Sequence, residues 1–392
     1  MAYNPSIPNS FDQTLIPFKV RERYFEEYIG LSPLTYLMGT SASNAIQTFE
    51  MTGGEGMSYR ISLRRDLNYE NPVIGFDQAA GQEQPVTIYE DEISLQLLRF
   101  VDMLMGKSLV KQMTPIDVYE SLRPLLLNAE RRHLVKSILD SATVKLYNSA
   151  NGGNGPLTER ALYGGVNHNA SIYTAVGTMT GENYDQSGLC VAHLRKLKSM
   201  AITGGKSFEA ESRIKPTQLT TRKGFPEECY IYLMDTDSYV SLAKDPAWRD
   251  FVYRGVIQGN DQPEGISGAR YRGMVEGIMV YECPELARYR VTSNGKTAAW
   301  NLFLGAQAFG VCWARRPWFE LENRDFNLNT AMAVCEIRGQ KALQFPSFQD
   351  TSKLIERGII HSFVQVNPNV VNMPVMEAAA PSDDTSTTKG RK

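Results

Sequence analysis

The stretch GFDQAAGQEQPVTIYEDEISL, residues 75–95, restricts the possible folds of this chain more than any other segment. GMSYRISLRRDL (56–67) alternates upstream of it, with Met57, Tyr59, Ile61 and Leu63 on one face and Ser58, Arg60, Ser62 and Arg64 on the other. PVTIYEDEISLQLL (85–98) alternates through Val86 and Ile88, then again through Ile93, Leu95 and Leu97. Period two marks a half-buried strand, so the spacing predicts a long two-stranded ribbon with a loose polar tip. From Asn68 to Glu92 there are six acids (Glu70, Asp77, Glu83, Glu90, Asp91, Glu92) and no lysine or arginine. A lone two-stranded ribbon is marginal in water, and this one offers little apolar surface to offset the entropy of ordering it. The expectation is a ribbon held down by something other than its own lobe.

The rest of the chain gives it a frame. TPIDVYESLRPLLLNAERRHLVKSILDSATVKLYNSA, from Thr114 to Ala150, keeps a helical beat through Val118, Leu122, Leu125, Ala129, Leu134, Ile138 and Leu146. Thr114 is its expected N-cap and Pro115 sits in its first turn, while Pro124 should kink or divide it near Arg123. FKVRERYFEEYIG (18–30) reads as a helix with a narrow apolar face, behind an extended arm carrying Pro5 and Pro8. Residues 151–227 are rich in Gly, Asn, Ser and Thr around one helix at 189–202. Strand signals return from residue 228, with a helix ending near Lys244 and a turn at Asp245-Pro246. This mixture fits α+β better than regular βαβ alternation. The tail 366–392 has low hydrophobicity and no period, and is expected to be partly disordered.

Several chemistries are disfavoured. A net charge of −2 over 392 residues lacks the basic excess of a strong nucleic-acid binder. Cys190, Cys229, Cys283, Cys312 and Cys335 are odd in number and dispersed, mostly in apolar runs, so buried free thiols are expected rather than a disulfide framework or zinc site. No signal-peptide pattern opens the sequence and no apolar run reaches the ~20 residues of a membrane span, so an intracellular product is expected. TGGKSF (203–208) lacks the first glycine of a phosphate-binding loop and follows a helix, so a glycine helix stop is the better reading. The four histidines (His133, His168, His193, His361) show no metal-ligand spacing. His133 is placed on the exposed side of the long helix, and His361 is read as a satisfied strand histidine. A dispersed Ser-His-Asp set stays open, although no G-x-S-x-G elbow raises its odds. RKLK (195–198) is read as a solvated helix face before a nucleic-acid contact. Glu90, Asp91 and Glu92 alternate faces on a strand, so they cannot converge on one ion. No cofactor is expected.

The order of these elements resembles the major capsid proteins of tailed bacteriophages, with the Hong Kong 97-like fold. More closely, it is similar to the capsid family of short-tailed, N4-like phages. The resemblance rests on GQEQPVTIYEDEISLQLLRF leading into the long helix, then YIYLMDTDSYVSLAKDPAWRDF with its D-P-x-W turn, and GARYRGMVEGIMVYE. It continues in LFLGAQAFGVCWAR, read as a G-A-Q-A strand-to-helix junction, and in RDFNLNTAMAVCEIRGQKALQF, a closing pair of strands. It spans roughly residues 50–365. Phe326 stands where tyrosine is usual, and Leu328 and Asn329 where glycine is.

The resemblance implies an N-terminal arm over 1–50, an extension loop over 51–98, a peripheral domain with a spine helix over 99–150 and a possible insertion over 151–227. An axial domain over 228–330, closing strands of the peripheral domain over 331–365 and a tail over 366–392 complete the division. It implies a structural shell protein rather than an enzyme, forming hexamers and pentamers of an icosahedral head around double-stranded DNA without sequence-specific binding. Scaffold, portal and possibly decoration proteins are the implied partners, the host bacterial cytoplasm the place of assembly, and rearrangement of spine helix and loop on expansion the mechanical step. An encapsulin-type compartment and a soluble hydrolase are the alternatives. In this fold the ribbon lies across a neighbouring subunit, so Asp77, Glu90, Asp91 and Glu92 are expected to meet basic groups there. Arg64 and Arg65, or Arg315 and Arg316, are the candidates. Some members of the fold cross-link through a loop lysine, which residues 68–92 lack.

Overall fold

The computed structural model describes residues 33–51, 56–64, 88–104, 118–147, 160–166, 172–204, 213–220, 226–257, 270–324, 329–346 and 354–367. The arm and helix expected before residue 31, the ribbon tip with Arg65 and Asp77, His168, the glycine-lysine pair of TGGKSF and the tail lie outside them.

The chain divides into two units. Of the described residues, the first takes 33–41 and those within 46–141 and 309–345, the second 42–45 and those within 142–308 and 346–367. Among the described residues, 309–324 and 329–345 fall in the first unit and 354–365 in the second.

In chain order the elements begin with β1 (Met38–Gly39), β2 (Ile46–Glu50), β3 (Ser58–Arg64), β4 (Ile88–Ser94), β5 (Gln96–Leu104) and helix α1 (Val118–Tyr147). Next come β6 (Ala161–Tyr163), α2 (Ile172–Gly177), α3 (Val191–Thr203), β7 (Thr217–Thr220), β8 (Pro226–Met234), α4 (Thr236–Lys244) and α5 (Pro246–Ile257). Then follow β9 (Tyr271–Val275), β10 (Ile278–Glu282), β11 (Val291–Ser293) and β12 (Lys296–Leu304). The last five strands are β13 (Phe309–Arg324), β14 (Asn329–Ala342), β15 (Gln344–Pro346), β16 (Leu354–Glu356) and β17 (Ile359–Val366).

The first unit is a mixed five-stranded sheet, ordered β1-β2-β13-β14-β5. Successive β14 residues serve opposite faces. Met332 and Val334 pack with Leu126 of α1, Phe100 of β5 and Phe319 of β13. Ile337, of the other parity, packs with the β3-β4 ribbon. The long helix and the ribbon base therefore cover opposite faces of one sheet. Helix α1 runs unbroken through Pro124, which is exposed, so the backbone bond that proline forfeits lies on the solvent side. Its buried stripe is Leu126, Glu130, Leu134, Ile138 and Ala142, spaced by four, with Val135 and Leu139 beside it. Leu125 and Ala129, assigned to the apolar face by the sequence, are exposed, because the true stripe contains a glutamate that a hydrophobicity pattern skips.

The second unit is built on a sheet ordered β6-β17-β12-β8-β10-β9, with β11 added on β12 and β7 on β8. Helices α3, α4 and α5 pack Leu194, Leu197, Leu242 and Trp248 onto Tyr232, Val280 and Phe303. Asp245 explains the D-P-x-W turn. Its carboxylate accepts the Val191 N–H at 2.8 Å and the Ala247 N–H at 2.9 Å, capping α3 and α5 together. Trp248 then anchors α5 in the core. The described part of 151–227, expected as a possible insertion, supplies β6 and the buried face of α3. The G-A-Q-A stretch is no strand-to-helix junction; it is a turn between β12 and β13. There the N–H groups of Gly305, Ala306, Gln307 and Ala308 donate to the carbonyls of Gly358, Lys215, Asn44 and Ala45.

Candidate assembly interface

The ribbon pairs antiparallel from Ser58↔Ser94 to Arg64↔Ile88. Alternation assigns its two faces. Tyr89, Asp91 and Ile93 turn toward the sheet, while Ile88, Glu90, Glu92 and Ser94 turn away. Ile93 is fully buried and Ile88 is 58% exposed, so the inner face follows the Ile93 phase and not the Val86–Ile88 phase. Ile93 joins Met51, Leu95, Cys312, Leu343 and Phe345, with Phe49, Tyr59, Ile61 and Ile337 packed against them. Complete burial of one such isoleucine stabilises by about 1.5–3 kcal/mol. The ribbon base is thus folded onto its own subunit, which corrects the expectation of a ribbon unsupported within its chain. Two glycines make the approach possible. A Cβ on Gly339 would lie 2.3 Å from the Ser94 carbonyl oxygen, and one on Gly310 would lie 2.8 Å from Ile93 Cδ1.

Asp91 completes the attachment. It is buried, forms an ion pair with Lys341 of β14, and accepts the Gln344 N–H at 2.9 Å. Among the expected contact acids, Asp91 therefore has a basic partner within its own chain. Glu90 and Glu92 are exposed on the outer face, where Glu90 faces Arg60 across the ribbon at 3.5 Å. Arg64 ends β3, while Arg65 and Asp77 lie outside the described residues. Arg316 pairs with Glu50 on the surface and stacks over Trp313. Arg315 is exposed, its guanidinium 3.8 Å from the Trp318 ring centroid. Register shifts in β13 on both sides of Arg315 bulge the strand here and project its cation.

The alternation read through Ile93, Leu95 and Leu97 runs into β5, whose continuation to Leu104 it does not mark. This strand ends the five-stranded sheet, and it presents Leu97 (53% exposed), Val101 (63% exposed) and Met103 outward. Cross-strand pairing puts Leu97 opposite Ile337, Arg99 opposite Cys335 and Val101 opposite Ala333, on the face that the ribbon base covers at one end only. Arg315 pairs with Ile337 on that face as well. Apolar edge strands are a kind of surface that sheet proteins usually cover, pair or charge.

A serine–histidine pairing occurs among the described residues. His193 Nε2 lies 2.7 Å from Ser362 Oγ, which is 3.0 Å from the Tyr232 hydroxyl. His193, Tyr232 and Ser362 are all buried, and burial pushes the His193 imidazole down to about 3. This is a polar cluster within the core. His361, fully buried, accepts from Trp300 Nε1 at Nδ1 and donates from Nε2 to Glu356, the satisfied strand histidine expected. His133 differs from its expectation: its Nδ1 is 2.7 Å from Arg338 Nη2, on the sheet side of the helix. The basic residues of RKLK are engaged locally, Arg195 with Glu276, Lys196 with the Gly165 carbonyl and Lys198 with the Glu276 carbonyl. Gly204 closes α3 in the left-handed conformation (φ 74°), the helix stop read from TGGKSF. The five cysteines are free thiols. Among the described residues no cluster of His, Cys, Asp or Glu is placed to hold a metal, and no helix is long and apolar enough to cross a membrane.

Residues 13–360 match a family model described as phage capsid protein. No curated protein matches the sequence. Among solved structures, the chain is similar to the cyanophage Pam1 capsid asymmetric unit, with a TM-score of 0.71 and 17% identity over 92% of this chain and 99% of that one. The capsid of Ralstonia phage GP4 gives a TM-score of 0.67 and 18% identity over 95% of this chain and 100% of that one. The acidic stable capsid of Helicobacter pylori bacteriophage KHP30 gives 0.65 and 13% over 93% and 100%. At these identities the structural likenesses carry the fold, and the family match carries the kinship.

Proposed function

This chain belongs to the phage capsid protein family, and from that premise we propose that its copies interlock by laying the outer face of one ribbon on the β5 face of the next. The protein is a structural major capsid protein with the Hong Kong 97-like fold, part of a multi-copy virion capsid. Its family and fold are those of a structural, non-enzymatic protein. The encapsulin-type and hydrolase alternatives find no support.

The single observation behind the interlock is complementarity between two uncovered surfaces. One carries Ile88, Glu90 and Glu92; the other carries Leu97, Val101, Arg99 and Arg315. These surfaces lie on different elements, so each copy offers one and receives the other. Such head-to-tail contacts close into rings, and rings pack into shells. Hexamers and pentamers of an icosahedral shell around double-stranded DNA follow from this reading, with assembly in the host bacterial cytoplasm beside scaffold and portal proteins. A net charge of −2 suits a wall that confines DNA without gripping it. Reversing both exposed acids (E90K/E92K) is expected to abolish shells in sedimentation and negative-stain imaging while leaving the subunit's thermal midpoint unchanged. Shells formed by this variant at wild-type yield would refute the interlock.

A further inference from the structure

Between helix α1 and the sheet of the first unit lies a polar cluster that assembly does not explain. Arg338 of β14 is fully buried. Its Nη1 stands 3.2 Å from Glu130 Oε1 of the helix and 3.1 Å from Glu336 Oε1 of its own strand, and its Nη2 is 2.7 Å from His133 Nδ1. Arginine can only donate, so His133 Nδ1 must accept, and the ring there is neutral with its proton on Nε2. Glu336 is fully buried too, yet neither of its oxygens is aligned with a hydrogen-bond donor. The remaining groups facing the cluster are Trp313 of β13 beside Glu336, Phe100 of β5 edge-on to the His133 ring, and Lys136 and Asp140 of the helix near His133.

The charge count does not balance if every acid is ionised. Two carboxylates then share one guanidinium, leaving a net negative charge in a buried site, where uncompensated charge is costly. One proton on Glu336 restores neutrality. We propose that Glu336, Glu130, Arg338 and His133 form a proton-gated pin, which holds the middle of the long helix to the sheet while Glu336 is protonated and loosens it when that proton leaves.

The electrostatics agree with the geometry. Burial, with the Glu130 carboxylate adding to it, raises the Glu336 carboxyl to about 7, although Arg338 opposes the rise. The folded protein therefore holds a proton between the ordinary glutamate value of 4.5 and about 7 that the unfolded chain does not. This contribution to stability is complete below that window and is lost as pH rises through it. His133 acts the other way. Burial and the neighbouring Arg338 and Lys136 hold it below its ordinary value of 6.5, so it opposes folding only as pH falls below that value.

Hydrogen exchange read by mass spectrometry on assembled shells tests the pin, comparing peptides from residues 126–140 at about pH 6 and about pH 8.5 after correction for intrinsic rates. In the wild type, protection of these peptides is expected to fall roughly tenfold at the higher pH, the equivalent of one unit of displaced proton affinity. Glu336→Gln keeps the site neutral and should make protection independent of pH. If that variant yields no shells, Glu130→Gln leaves one carboxylate on one guanidinium and should flatten the profile likewise. A wild-type profile flat from the start, or variants that keep the full wild-type dependence, would overturn the proposal. Because the readout lies within one subunit, its failure would leave the interlock untouched.

Discussion

At Gly339 the strand β14 can sit beneath the ribbon only because it has no side chain there. Gly339→Val drives two methyl groups toward the Ser94 carbonyl, and since neither backbone can yield cheaply, a loss of about 1–3 kcal/mol is expected. Denaturant unfolding of the subunit measures it, and an unchanged midpoint would show that the ribbon is not seated there. Gly339 and Lys341 fall within the closing pair of strands read from the sequence, but what they serve is legible only in three dimensions. Lys341 answers Asp91, a residue 250 positions away. The alternation that separates Glu90 and Glu92 from Asp91 was legible, because a strand cannot aim consecutive side chains at one point. Which parity faced inward was not, because Val86–Ile88 and Ile93 argue for opposite phases.

At the scale of elements, regular periods were readable and their exceptions were not. The long helix was foreseen at Thr114–Ala150 and runs from Val118 to Tyr147 among the described residues. Its face was misassigned because Glu130 sits in the buried stripe, an acid matched by an arginine more than two hundred residues away. Only the start of β5, through Leu97, is legible, because beyond it the outward residues are as apolar as the inward ones, which removes the alternation that marks a strand. The ribbon gives a paired prediction about its two faces. Ile93→Ala should cost the subunit about 2–5 kcal/mol through the cavity it leaves. Ile88→Ala should leave subunit stability within about 0.5 kcal/mol, as usual for surface changes, and instead lower shell yield. Unfolding curves set beside sedimentation profiles separate the two effects. Equal effects of both substitutions on subunit stability would contradict the facing.

For the whole molecule, the fold class and the structural role were legible because five ordered motifs constrain each other. The division into units was not, since neither is continuous in sequence. Residues 68–92 carry no lysine, so the shell is expected to hold without covalent links through that loop. Shells dissolved in denaturant should release only the 43.9 kDa monomer by intact mass, and a ladder of multiples would contradict this. The turn at Gly305–Ala308 carries a further consequence. Its backbone ties Asn44 and Ala45 to Gln307 and Ala308, and the first unit's sheet lays Ile46–Glu50 alongside Phe309–Trp313. On a translating ribosome the early segments must therefore wait for partners emerging three-quarters of the way through synthesis. Contacts so distant in sequence close late and slowly. The ribbon base and β5 likewise await β14 and Leu343, so the two surfaces of the proposed interlock would take shape only near the end of a copy's own synthesis.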